Sequence, residues 1–194
     1  MLGLKTVMEN NDLYIIDQCL KGDTDAFEIL VNRHLKTVYN FVYHLSRNAE
    51  EANDIAQEVF VKVWKNLKKF DQGQNFKTWL FSIARNTTID FFRKKKSISF
   101  GDMEIGDDTS FEDSLTDSEP LPDEIFEQKE LGAFLEKALR VLPLEERTVI
   151  LLHDKEDLTF EEIAKVLGKP MNTVKSRYRR AIMAFRKEIG APNM

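Results

Sequence analysis

The apolar positions of this chain fall in helical stripes. Over residues 12–22, Leu13, Ile16, Cys19 and Leu20 recur at three- and four-residue steps, the repeat of one helix face, and Gly22 closes the run. Asp23 or Thr24 can cap a second helix reaching about residue 45. Its stripe is Phe27, Leu30, Val31, Leu35, Val38, Phe41, Val42 and Leu45. Asn53 or Asp54 opens a third helix, to about residue 70, with Ile55, Val59, Val63 and Leu67 on one side. The polar run 71–76, which contains Gly73, is a loop before a fourth helix over about 77–96. The periodicity stops over 97–122, an acidic, Ser/Thr-rich stretch with Gly101, Gly106, Pro120 and Pro122. It is too poor in apolar residues to build a core and reads as a flexible linker. Helical spacing resumes over 123–141, over 143–153 and in two final helices. With strand-like alternation scarce, the expectation is an all-α chain with helical domains at 12–96 and 123–190, joined by the acidic linker 97–122.

The last two helices carry the strongest local signals. Thr159, with Glu162 three residues on, forms a capping box, and Leu158 and Ile163 stand where a hydrophobic staple forms. Ile163, Ala164 and Leu167 give the first of the pair its apolar side. Gly168 suits a left-handed C-cap and Pro170 blocks continuation. Asn172 or Thr173 can cap the following helix, where Val174, Tyr178, Ala181 and Phe185 share a face. The opposite face carries Thr173, Ser176, Arg179 and Arg180, with Lys175 and Arg177 on the flanks. Residues 169–187 hold seven Lys/Arg and no Asp/Glu. A capped helix, a tight turn and a second helix with outward hydroxyls and arginines fit the DNA major groove. There arginine bonds guanine bidentately and lysine neutralises phosphate.

Charge sharpens this picture. The 194 residues carry a formal net charge of -5, which on its face argues against a polyanion partner. Yet residues 101–127 hold eleven Asp/Glu and no Lys/Arg, so the remainder has 28 basic against 22 acidic residues. Outside the linker the chain is mildly basic, and nucleic-acid binding stays open. No apolar run reaches the length of a membrane span, and the N-terminal residues lack a signal-peptide pattern; the expectation is a cytoplasmic protein. The single cysteine, Cys19, lies on an apolar stripe and reads as a small buried hydrophobe. His34, His44 and His153 are scattered without metal-ligand spacing, and neither a phosphate loop nor an activated nucleophile is evident. The expectation is a non-enzymatic chain without cofactor or metal.

Two further segments suit partners. On the third helix Phe60 and Trp64 line up with Gln57 beside Asp54 and Glu58, a mixed strip fit for docking a protein, although periodicity alone favours the core for both rings. The fourth helix joins Phe76, Trp79, Phe81, Phe91 and Phe92 to six Lys/Arg against one Asp over residues 77–96. Unpaired bases stack on rings while cations follow the backbone, so this composition suits opened DNA. At least half of those rings are expected to fill the core.

The segments DIAQEVFVKVW, NFKTWLFSIARNTTIDFFRKK, LRVLPLEERTVILLH and LTFEEIAKVLGKPMNTVKSRYRRA, with an acidic linker between the second and third, closely resemble bacterial sigma-70 factors of the extracytoplasmic-function (ECF) group. The resemblance spans about residues 12–190. It implies a factor that binds core RNA polymerase, through the β′ clamp coiled coil and the β subunit, and directs it to promoter DNA. It implies core-polymerase contacts at Asp54, Gln57, Glu58, Phe60 and Trp64. It places Asn75, Phe76, Lys77, Trp79, Arg85, Asn86 and Arg93 near the minus-ten element. Thr173, Lys175, Ser176, Arg177, Arg179 and Arg180 fall at the minus-thirty-five element. An anti-sigma factor is the usual further partner of the group. The alternative reading is a one-module helix-turn-helix regulator whose N-terminal helices sense or dimerise.

Overall fold

The computed structural model describes residues 11–101 and 139–188. Of the linker expected over 97–122, residues 97–101 are helical and 102–122 lie outside the described residues, as does most of the helix expected over 123–141. Seven α-helices are present among the described residues: α1 Asp12–Leu20, α2 Thr24–Ser46, α3 Ala49–Asn66, α4 Phe76–Gly101, α5 Leu144–Ile150, α6 Phe160–Leu167 and α7 Met171–Glu188. They contain no strand.

Local chemistry sets most boundaries. Asn11 caps α1, and Asp23 caps α2 by accepting from the N–H groups of Asp25 and Ala26. Helix α3 begins four residues before the expected Asn53, because Asn48 caps it by accepting from the Glu51 N–H, and Glu50 and Glu51 favour the positive end of the helix dipole. After Asn66 the chain tightens into a 3-10 turn, Leu67–Lys69, which ends the helix short of residue 70. Helix α4 extends past residue 96 to Gly101. Helix α5 widens into a π-helical turn over Leu151–Lys155.

The four N-terminal helices pack around Ile16, Leu30, Phe41, Ile55 and Phe81, all at most 2% exposed. Cys19 joins this core at 6%. The α1–α2 contact is reinforced at its polar edge, where Asp12 accepts from Arg33 at 2.8 Å and lies 2.9 Å from His34 Nε2. Burial pushes the Asp12 carboxyl up, but its bonds to His34 and Arg33 outweigh this and hold it below the ordinary 3.8.

The C-terminal helices do not stand apart from this bundle. Val149, Leu152, Leu158 and Ile163 are buried in the same continuous core as the N-terminal stripes, with α6 packed on α4 and α5 touching α2. Arg147, only 6% exposed, donates to the carbonyls of Leu139, Leu142 and His44, at 2.9, 2.8 and 3.2 Å. One buried cation thereby ties the turn before α5 to the C-terminal end of α2, where the helix dipole favours positive charge.

Candidate functional site

Helix α3 shows how one stripe is divided. Asp54 and Gln57 are exposed, and Glu58 pairs with Lys62 at 2.9 Å one turn on. Trp64 is 45% exposed and rests on Phe27 with ring centroids 4.7 Å apart. Phe60 is 7% exposed, the core position that periodicity alone expects for it. Ala56, Phe60, Val63 and Leu67 form a second buried line beside Ile55 and Val59, so the core takes this ring and leaves Trp64 outside. A shallow groove lined by Leu35, Lys36, Tyr39, Asn53 and Gln57 runs beside the strip, between α2 and α3.

At the start of α4, Asn75 acts as the cap. Its Oδ1 accepts from the N–H groups of Lys77 and Thr78 at 2.8 and 3.4 Å. Its amide donates across the molecule to Glu162 Oε1 at 2.9 Å. Phe76, expected near the minus-ten element, is 4% exposed. Its ring meets Phe70, His34 and Trp79 at 5.5, 5.4 and 5.8 Å, and stacking on a DNA base would require leaving that cluster. Trp79 is half-buried against Phe70 at 5.1 Å and braces the same cluster.

The charged residues of α4 are also engaged. Lys77 donates to the Glu156 carbonyl at 2.6 Å and meets its carboxylate at 3.0 Å. Arg85 donates to Asn86 at 3.1 Å and to Glu145 at 2.9 Å. Arg93 is exposed and pairs with Asp90. Burial pushes the Glu156 carboxyl above its ordinary value despite the Lys77 ammonium beside it. Burial also pushes Glu162 up, but hydrogen bonds from Thr159 and Asn75 outweigh it and leave the group below its usual range.

The helix pair α6–α7 follows its sequence signals closely. Both bonds of the capping box are present: Thr159 Oγ1 accepts from the Glu162 N–H at 3.2 Å, and Glu162 Oε2 accepts from the Thr159 N–H at 2.9 Å. Gly168 adopts φ 59, the left-handed C-cap. Helix α7 starts earlier than a cap at Asn172 or Thr173 requires. The Pro170 carbonyl accepts from the Thr173 and Val174 N–H groups, so both candidate caps fall inside the first turn. Val174 and Ala181 are buried at 0% and 1%, while Ser176, Arg179 and Arg180 are exposed. Thr173 and Lys175 are half-buried, and Ser176 donates to the Thr173 carbonyl at 2.9 Å. Arg177 turns away from the outer face and pairs with Glu145, and Arg180 reaches Glu146 at 3.2 Å while staying 63% exposed. Behind the helix, Tyr178 donates to Asp154 at 2.8 Å and packs against His153 and, edge to face, Phe160. Burial, then the bond to Asp154, pushes the Tyr178 hydroxyl up to about 12.

Glu145, Glu156 and Arg147 escaped the sequence reading. Glu145 and Glu146 follow Pro143 as ordinary first-turn acids, and the partners Lys77 and Arg85 lie 79 and 60 residues away from Glu156 and Glu145. No local pattern reports such pairings.

Comparison with known proteins fits this geometry. Residues 30–98 match the family model of sigma-70 region 2, and residues 135–185 match that of sigma-70 region 4. The chain is 37% identical over 177 residues to the ECF RNA polymerase sigma factor SigW of Bacillus subtilis, covering 90% of this chain and 94% of that one. It is 30% identical to the RNA polymerase sigma-H factor of Pseudomonas aeruginosa, covering 93% and 95% of the two chains. Among solved structures, RpoE of Bartonella quintana, in complex with the anti-sigma factor NepR, superposes with a TM-score of 0.65 at 26% identity, covering 86% of this chain and 98% of that one.

Proposed function

We propose that this chain, which belongs to the extracytoplasmic-function group of sigma-70 factors, docks on core RNA polymerase through α3 and reads promoter DNA through α4 and α7. As a sigma factor it directs transcription initiation at promoters. Its work is binding and strand separation rather than bond chemistry. Asp54, Gln57, Glu58, Phe60 and Trp64 form the docking strip for the β′ clamp coiled coil, with Trp64 resting on Phe27. Asn75, Lys77, Arg85, Asn86 and Arg93 face the minus-ten element, and Phe76 and Trp79 hold the helix start in place for them. Lys175, Ser176, Arg179 and Arg180 face the minus-thirty-five element, with Thr173 and Arg177 at its margins. The domains are 12–96 and 123–190. Similarity to an RpoE solved with an anti-sigma factor supports a protein antagonist of the same kind here. No described helix is long and apolar enough to cross a membrane, consistent with action beside polymerase in the cytoplasm.

The observation that carries this reading is the outer face of α7. It presents Ser176, Arg179 and Arg180 on a capped helix pair, within a chain that matches region 2 and region 4 in order. The test is run-off transcription with bacterial core polymerase over a promoter library. Position-specific transcripts that need the chain are expected, and alignment of their upstream regions yields both elements. Tight duplex binding by the chain alone, with no core-dependent initiation, would instead mark a one-module regulator.

A further inference from the structure

Three side chains of α7 stand in one line on its outer face. Asn172, Ser176 and Arg179 follow one another at steps of four and three residues, the spacing of neighbours on a helix surface, and all are exposed. Asn172 leads the line, in the opening turn of a helix that begins at Met171. In a helix-turn-helix the N-terminal residues of the second helix are the ones that reach base edges. The side chain of Asn172 has no structural task there. The Pro170 carbonyl accepts from the Thr173 and Val174 N–H groups, so the helix starts without an asparagine cap. Among the described residues the Asn172 amide meets no hydrogen-bond partner. Two others on this face are engaged, Ser176 donating to the Thr173 carbonyl at 2.9 Å and Arg180 reaching Glu146 at 3.2 Å. Asparagine is also among the weaker helix formers, so neither packing, capping nor propensity accounts for its presence.

We propose that Asn172 is a base-reading residue, its amide bonding the major-groove edge of one adenine within the minus-thirty-five element. The inference rests on the reading of α7 as the helix that enters that element. A primary amide carries an acceptor and a donor side by side. Adenine alone shows the matching pair in the major groove, the N6 amino donor next to the N7 acceptor. Guanine shows two acceptors there, cytosine one donor, and thymine one acceptor beside a methyl group. Met171, 42% exposed at the adjoining position, adds an apolar surface of the kind that meets a thymine methyl, so both residues favour A·T pairs at this end. Asn172 stands seven residues before Arg179, about 10 Å along the axis at the ordinary rise of an α-helix, so the two side chains reach different base pairs. The arginines thus select guanine at one end of the element and Asn172 selects adenine at the other.

The test uses the full chain with bacterial core polymerase. The probes are templates from its own promoter library in which each base pair of the upstream element is changed in turn to the other three. With wild type, one position should prefer adenine by roughly tenfold in run-off yield, the discrimination one bidentate pair supplies. Asn172→Ala should flatten that position and leave the preferences at the others standing. Asn172→Arg should move the preference there from adenine to guanine, a gain that a merely structural role would not produce. A third arm needs no variant: 7-deazaadenine at that position keeps the base pair but deletes N7, and should lower wild-type transcription while leaving the Asn172→Ala chain unaffected. The inference is overturned if Asn172→Ala keeps every preference of the wild type, or weakens all positions alike. It is overturned equally if the flattened position prefers a base other than adenine, or if 7-deazaadenine costs the wild type nothing. Each of those results leaves the sigma-factor reading intact, whereas a wild-type chain that supports no core-dependent initiation overturns both.

Discussion

Helices α4 and α7 both carry basic residues suited to DNA, yet they stand in opposite states. On α7 the apolar side is buried in its own half and the outer side is open: Ser176, Arg179 and Arg180 face solvent. On α4, by contrast, Lys77 and Arg85 are bound to carboxylates from the other half, and Phe76 is sealed in an aromatic cluster. A helix that enters a groove as a rigid body needs only to be built and aimed. A surface meant for separated strands needs rings and cations that can also be put away. Exposure on α7 and engagement on α4 are therefore two solutions to holding positive charge ready, one by presentation and one by occupation.

The contrast can be broken at the core first. Phe76→Ala empties the centre of the cluster formed with Phe70, His34 and Trp79 and should cost about 3–5 kcal/mol in urea unfolding. A loss below ~1 kcal/mol, the size of an ordinary surface change, would return this ring to the DNA-contact set. Next in size, Arg180→Ala should remove about 1–3 kcal/mol of discrimination between intact and scrambled upstream elements in run-off assays. Its binding to polymerase should persist. Equal transcription from both templates by the unmutated chain would remove the basis of that assignment. A smaller effect is expected from Thr159→Ala, which deletes the capping side chain of α6 and should lower stability by about 1 kcal/mol.

The smallest effect depends on acid. Asp12 has its folded-state value depressed by His34 and Arg33, so its contribution is fully present above the unfolded value near 3.8 and fades as pH falls through the still lower folded value. Between neutral pH and that range, wild type should lose more stability than Asp12→Asn. Parallel curves from thermal melts across the pH series would place the α1–α2 edge outside acid sensitivity.

What the sequence made legible follows the same division. The Thr159–Glu162 box, the Gly168 C-cap and the outward Ser176, Arg179 and Arg180 depend on residues within a few positions of one another, and all are present. The start of α3 was misplaced because Asn53 and Asp54 are good caps in isolation, while Asn48 with Glu50 and Glu51 offers a cap and a favourable dipole together. Phe60 and Trp64 lie one helical turn apart and periodicity favoured the core for both, but only Phe60 is covered while Trp64 stays 45% exposed. The carboxylates that meet α4 lay beyond reach for a plainer reason. Glu145, Glu156 and Glu162 look like the acids of any helix start or turn, and only tertiary packing brings them to Arg85, Lys77 and Asn75.

Cys19 sits 6% exposed in the N-terminal core, and burial, with the Asp23 charge nearby, pushes its thiol above the ordinary 9.0. Little thiolate exists there at neutral pH, and little of the sulfur can be reached. Since it is the sole cysteine of the chain, the folded protein is close to silent toward maleimides and spin-label reagents. Cysteines introduced on the surface, one in each half, can then carry a dye pair without first stripping the native residue, and the separation of the halves becomes a distance to be read directly, with and without polymerase.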